Sequence, residues 1–262
     1  MSTLTLPSTT APTLSTSGGI PFTRLCGVEL RKQVDTRAGL WLLIVIALVN
    51  TALLVLTLTT APPAELTWTN LTSAVSLAQF VLLPLIGVMA ATSEWSQRTG
   101  VTTFALEPRR ARVNLAKLAS AVLLGLLVML LTVVAGALLN VVGITFRGGD
   151  GSWVMDWSML AGAALALLLL VAQGVAFGLA FLSTPIAIVA YLALPVVWTT
   201  LTVFISGLAG PARWLDMNVT MLPLMMGEMS ATGWAQLGTS VAVWVGVPLA
   251  VGLWRTAHRD VA

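Results

Sequence analysis

Charged side chains are scarce in this sequence: Asp, Glu, Lys and Arg make up 9% of its 262 residues, whereas soluble domains average about a quarter. Apolar residues make up 57%, and the mean hydropathy is +0.94. This composition predicts a membrane protein rather than a soluble domain. The basic residues, which leave a net charge of +3, occur in short clusters between apolar runs and form no basic face interleaved with aromatics. We therefore expect no nucleic acid as a partner.

Groups that catalyse reactions or bind metal are equally rare. The single cysteine, Cys26, excludes an internal disulfide, and with one histidine, His258, it offers no metal-ligand set. The two lysines, Lys32 and Lys117, do not lie in the Gly-Lys-Ser/Thr motif of a phosphate-binding loop. We therefore predict a protein that is not an enzyme, with no metal and no cofactor of its own.

Six apolar stretches are long enough to cross a hydrocarbon core, which takes about 20 helical residues. Their approximate bounds are 39–60, 71–92, 118–143, 158–182, 185–207 and 234–254. None contains Asp, Glu, Lys, Arg or His. Ion-coupled transporters usually place such a group at bilayer depth, so we expect that any transport takes its energy from a partner.

The basic residues predict the orientation of the six spans. Of the 13 Lys and Arg residues, all but Arg147 and Arg213 precede the first span, lie between the second and third, or follow the last. The positive-inside rule then places both termini in the cytoplasm.

Four segments flank or interrupt the six-span domain at 38–254. Residues 1–21 are rich in Ser, Thr and Pro and predict a disordered cytoplasmic tail, and residues 255–262 form a second one. Residues 22–37 repeat an apolar residue every fourth position, which predicts an amphipathic helix lying flat on the inner leaflet. Its apolar residues are Phe22, Cys26, Leu30 and Val34. Residues 208–233 are too interrupted to cross, and we expect them to dip into the outer leaflet as a re-entrant element.

The polar side chains within the spans are amides and hydroxyls. They can line a weakly polar cavity or join helices by hydrogen bonds, and both interpretations remain open. Asn50 and Gln79 are the better functional candidates because both should lie near mid-depth on consecutive helices. Gly174 and Gly178 form a G-x-x-x-G pattern, which permits two helices to approach closely.

The segment from Ser93 to Lys117 is long for a connection between two spans, and it holds five basic residues together with Glu94 and Glu107. A solvated loop facing anionic lipid would account for its charge but not for its order of motifs. Those motifs are Ala90-Ala91-Thr92-Ser93-Glu94, Arg98-Thr99-Gly100, Phe104-Ala105-Leu106, Pro108-Arg109-Arg110 and Ala116-Lys117. Their order resembles the permease subunits of type-2 ATP-binding-cassette (ABC) exporters, especially the six-span actinobacterial kind. Val28-Glu29-Leu30-Arg31-Lys32 looks like the elbow helix of that family, and Trp214-Leu215-Asp216 looks like its outer loop.

The resemblance implies one half of a transport machine in a bacterial cytoplasmic membrane. A second permease chain, identical or similar, and separate ATPase subunits, two in number, would complete it, with ATP and Mg bound on the ATPase. The coupling residues implied by the family are Glu94, Arg98, Gly100, Pro108, Arg109, Arg112 and Lys117. One departure is that the family more often has Gly before Thr where this chain has Thr99 before Gly100.

The implied substrate path lies between the two permeases, along the first, second and fifth spans. Its candidate residues here are Asn50, Gln79, Phe80, Trp198, Thr202 and Phe204. A path without charge suits export of an amphipathic or hydrophobic substrate, such as a drug-like metabolite, an antibiotic or a lipid. A membrane scaffold or assembly factor that transports nothing would share the same hydropathy and charge pattern, and it remains the alternative.

Overall fold

Residues 20–97 and 99–259 are described by the computed structural model, and they form helices and connections with no strand among them. The predicted N-terminal tail lies almost wholly outside the described residues, as does Arg98. The helices are α1 (Phe22–Asp35), α2 (Arg37–Thr60), α3 (Trp68–Ser73), α4 (Ser76–Ser96), α5 (Gly100–Leu106), α6 (Arg110–Arg147), α7 (Trp157–Phe181), α8 (Thr184–Phe204), α9 (Ala209–Leu215), α10 (Met217–Met225), α11 (Ala231–Val241) and α12 (Val247–His258).

Six helical stretches are long and apolar enough to cross a membrane, which confirms the predicted all-α membrane class. They are α2, α3 with α4, α6, α7, α8, and α11 with α12. A π-helical turn at Ala242–Gly246 joins the last two. The helix that was predicted at 118–143 spans Arg110–Arg147, so its 38 residues reach about 57 Å at 1.5 Å per residue. It ends at Gly148, whose φ of +64° is readily adopted only by glycine.

The second span is not the single helix that its hydropathy predicts. α3 and α4 are separated by a turn at Ala74 and Val75. The side chain of Thr67 caps α3 by accepting a hydrogen bond from the N–H of Asn70 at 3.2 Å.

The core forms where α4 packs along α7. A Cβ added to Gly87 would lie 2.7 Å from the Val171 carbonyl oxygen, and one added to Gly178 would lie 2.8 Å from that of Val88. Glycine is therefore required for the two backbones to approach this closely, as the G-x-x-x-G spacing predicted. Fully buried aliphatic side chains surround the contact, among them Leu83 and Leu167.

The bundle has two distinct ends. α1 and the end of α12 both contact the start of α6, so the first and last helices meet at one end, called here the terminal end. The connections around residues 61–67 and 148–156, together with α9 and α10, lie at the other, called the distal end.

α1 forms where the amphipathic pattern predicts a helix, but it buries a different face. The side chains buried against the bundle are Leu25, Glu29 and Gln33. Of the predicted apolar stripe, Leu30 and Val34 pack partly against the core, whereas Phe22 stays exposed. The helix therefore places a carboxylate and an amide inside the protein.

Candidate functional site

The connection between α4 and α6 (residues 97–109, the connecting loop) carries the short helix α5 at the terminal end. Phe104 is its buried anchor, and the guanidinium of Arg110 lies 5.0 Å above the Phe104 ring. The opposite face is open: Val101 is 54% exposed and Leu106 is 72% exposed. The loop therefore presents a small apolar knob toward solvent, formed by these two residues with Thr102 and Ala105.

A buried ion network lies beneath the connecting loop. The Lys117 ammonium donates to the Glu94 carboxylate at 2.6 Å, to Glu29 Oε2 at 2.8 Å and to the Ala90 carbonyl at 3.1 Å. Lys32 donates to Glu29 Oε1 at 2.6 Å and to Glu94 Oε1 at 3.2 Å. Two ammonium groups and two carboxylates thus neutralise one another and join α1, α4 and α6.

The network excludes water more strongly around one lysine than around the other. The Lys117 side chain is 1% exposed, whereas that of Lys32 is 35% exposed. Burial alone would lower the pKa of Lys32, but the carboxylates of Glu29 and Glu94 outweigh this effect and raise the pKa above its ordinary value. Because removing one member of a buried set leaves another charge uncompensated, each member holds the others in place.

Two arginines at the start of α6 attach this helix to the segment before α1 and to the end of α12. Arg112 donates to Glu107 Oε2 at 2.9 Å and to the Ile20 carbonyl at 2.9 Å. Arg110 donates to the carbonyls of Thr256 and Arg259, each at 2.7 Å, and so caps the last turn of α12. The connecting loop is therefore tied to the segment before α1 and to the end of the last span.

The structure separates the predicted coupling residues into two groups. Glu94, Gly100 and Lys117 are buried, so their side chains or backbone support the loop from inside. Pro108 and Arg109 are exposed and Arg112 is half-buried, so these can meet a partner directly. The predicted residue Arg98 lies outside the described residues.

Two members of the network, Glu29 and Lys32, were not predicted as site residues. They belong to the elbow-like motif, which indicated a helix but gave no role for its charges. The available signal was the spacing of Leu25, Glu29 and Gln33, which places all three on the buried face of α1. Gln33 extends the contact by donating to the Ser120 hydroxyl at 2.7 Å.

Two of the predicted path residues, Gln79 and Phe80, share a cavity at the distal end. This distal cavity is lined by side chains from segments 69–80, 129–132 and 155–163 and by Met225, and its volume is about 350 Å³. Gln79 Nε2 donates to the Thr132 hydroxyl at 2.5 Å across it. The lining residues Ser73 and Ser76 lie on either side of the turn between α3 and α4.

The other four predicted path residues lie outside the distal cavity. Trp198, Thr202 and Phe204 are on α8, a helix whose only buried side chains are Ala187 and Tyr191. Phe204 is 82% exposed, and Thr202 donates to the Thr199 carbonyl at 2.8 Å. Asn50 is buried in α2, and its Oδ1 has no hydrogen-bond partner among the described residues.

Comparison of the chain with protein-family models, with curated proteins and with solved structures finds no match in any of the three. Within residues 20–97 and 99–259, no group of three or more His, Cys, Asp or Glu side chains is placed to hold a metal ion. The geometry of the two ends of the bundle is therefore the basis for assigning a function.

Proposed function

We propose that this chain is the permease subunit of an ABC exporter in a bacterial cytoplasmic membrane, with both termini in the cytoplasm. It exports an amphipathic or hydrophobic substrate, such as a drug-like metabolite, an antibiotic or a lipid. Two separate ATPase subunits, which bind ATP and Mg, supply the energy, and a second permease chain completes the path.

The observation that carries this proposal is the connecting loop with its open apolar knob and its buried supports. An exposed Leu106 beside the exposed Arg109 is suited to a groove on a protein partner, where an apolar anchor is surrounded by charge. Below the knob, Phe104 contacts Trp95 of α4 and Arg110 of α6. The Lys117 network and the Arg110 cap join these two helices to α1 and α12. A push on α5 would therefore move several spans together.

The second permease chain is supported by the open face of α8. Although α8 is long enough to span the membrane, only 11% of its apolar window is buried within this chain. A facing chain would cover this face, and it would place Trp198, Thr202 and Phe204 along a path between two permeases.

The test is to purify the chain from native membranes and to measure the bound ATPase and its ATP hydrolysis. Leu106→Glu places a charge on the knob, and we expect it to reduce the co-purified ATPase at least tenfold while the permease still inserts. The matched control is Val154→Glu, the same change at an exposed site of the distal end, which should leave the ATPase bound.

Two results would overturn the proposal. One is that no protein with a phosphate-binding loop co-purifies with the wild-type chain. The other is that Leu106→Glu and Arg109→Glu both leave the complex and transport unchanged. This is the result expected for a scaffold or assembly factor.

A further inference from the structure

The distal cavity combines apolar, adaptable walls with a few hydroxyl groups. Its thioether side chains are Met129, Met155, Met159 and Met225. Methionine is flexible and polarisable, so such walls adjust to ligands of different shapes. A volume of about 350 Å³ lies within the range of pockets for small molecules, which is about 300 to 1,000 Å³.

The charge at the cavity is of one sign. Among the described residues that line it, Asp156 is the only ionisable side chain, and no Lys, Arg or His accompanies it. Hydrogen bonds from the Ser158 hydroxyl and from the N–H groups of Met159 and Ser158 lower the pKa of Asp156 below its ordinary value. The carboxylate is therefore ionised at neutral pH, with no cation among the lining residues to neutralise it.

The polar groups deeper in the cavity are neutral. Gln79 and Thr132 hydrogen-bond to one another, and the buried Thr72 hydroxyl has no partner among the described residues. The Phe80 ring also lines the cavity, and aromatic rings attract cations through their faces. The carboxylate of Asp156 and the face of Phe80 therefore both favour a positive ligand.

We propose that the distal cavity is a binding site for hydrophobic cations, molecules with a bulky apolar body and a single positive charge. The charge lies toward Asp156, and the body packs among the methionines and Phe80. A phospholipid is a poorer occupant because its phosphate would meet a carboxylate and no basic side chain. A role of this site in an export route rests on the proposed function. Binding of a hydrophobic cation to the cavity does not.

The test measures binding of tetraphenylphosphonium to the chain in nanodiscs of neutral lipid, with no ATPase present and with empty nanodiscs subtracted. Tetraphenylborate, which has the same shape and the opposite charge, is the matched ligand. We expect the cation to bind saturably and the anion to bind several-fold more weakly, because Asp156 is exposed and water screens part of its charge.

Asp156→Asn tests the charge and keeps a side chain that can cap α7. It should weaken binding of the cation several-fold and leave binding of the anion unchanged or stronger. The matched control is Asp150→Asn, which removes a carboxylate from the same connection at a residue that does not line the cavity. It should change binding of neither the cation nor the anion. Ala163→Phe fills the cavity and should abolish saturable binding of the cation.

Equal binding of the two ions, or full binding by Asp156→Asn and Ala163→Phe, would overturn the assignment. Such a result would leave the proposed function standing if Leu106→Glu still released the ATPase. Conversely, selective cation binding by a chain that recruits no ATPase would overturn only the proposed function.

Discussion

The two ends of the bundle satisfy their buried polar groups in different ways. At the terminal end, Glu29 and Glu94 are paired with lysines. At the distal end, Asp216 is 1% exposed. The donors to its carboxylate among the described residues are neutral: the Thr199 hydroxyl at 2.8 Å and the N–H groups of Asn218 and Val219. One end depends on opposite charges from three helices, and the other on hydroxyl groups and a helix N-terminus.

This difference predicts how much each end can be changed or rearranged. A buried ion set is costly to break because each released charge is left in a medium of low dielectric. Hydrogen bonds to a carboxylate contribute about 1.5 to 3 kcal/mol each, but those of Asp216 involve no charged partner, so a neutral acceptor of the same shape can replace it. We therefore expect the terminal end to behave as a rigid body and the distal end, with its methionine-lined cavity, to rearrange.

The largest expected effect comes from removing the buried lysine. Lys117→Met keeps the length of the side chain but leaves the carboxylates of Glu29 and Glu94 without their innermost partner. We expect the free energy of unfolding, measured by SDS titration in mixed micelles, to fall by about 3 to 5 kcal/mol.

Lys32→Met is the matched control because Lys32 bridges the same two carboxylates from a position that is 35% exposed. It should cost about 1 kcal/mol, since water can replace part of its contact. Changing Glu29 and Glu94 to Gln together with Lys117→Met should recover most of the loss, because the one charge of the network then left without a partner is that of Lys32, which water reaches. Equal losses for the two single lysine variants would contradict the network as described.

An isosteric pair of changes compares the two ends directly. Glu94→Gln removes one of the two carboxylates around Lys117 and should lower the free energy of unfolding by about 2 to 3 kcal/mol. Asp216→Asn should lower it by less than about 1 kcal/mol, because asparagine caps a helix as well as aspartate does. The same SDS titration measures both variants, and a larger loss at Asp216 would reverse the comparison.

The fold was largely predictable from the sequence, whereas the two candidate sites were not. Apolar runs of about 20 residues indicate spans by themselves, and the spacing of Gly174 and Gly178 indicated a close helix contact. The charges of Glu94 and Lys117 flank their spans, where basic and acidic residues ordinarily face water. Their network joins Lys117 to Glu29, 88 residues away, and Glu94 to Lys32, 62 residues away, and no local pattern carries such a relation.

The distal cavity was unpredictable for a related reason. It flanks the turn at Ala74 and Val75, and neither of these residues is a Gly or Pro that would indicate a break in the helix. Gln79 could be selected because an amide within an apolar run is conspicuous. Asp156 could not, because a carboxylate in a connection between spans is ordinary until its neighbours are known.

The smallest expected effect comes from an exposed ion pair on α1, the helix that also carries Glu29 and Lys32. Arg31 donates to Asp35 at 2.7 Å, but the two side chains are 82% and 57% exposed. Arg31→Ala should therefore lower the free energy of unfolding by less than about 0.5 kcal/mol, because water screens the pair and the side chains lose entropy in forming it. Repeating the titration at high salt should remove even this difference while the Lys117→Met loss persists, since buried charges are screened far less. If Arg31→Ala cost as much as Lys32→Met, the stability of α1 would depend on its charge pairs irrespective of burial, and the contrast between buried and exposed pairs would fail.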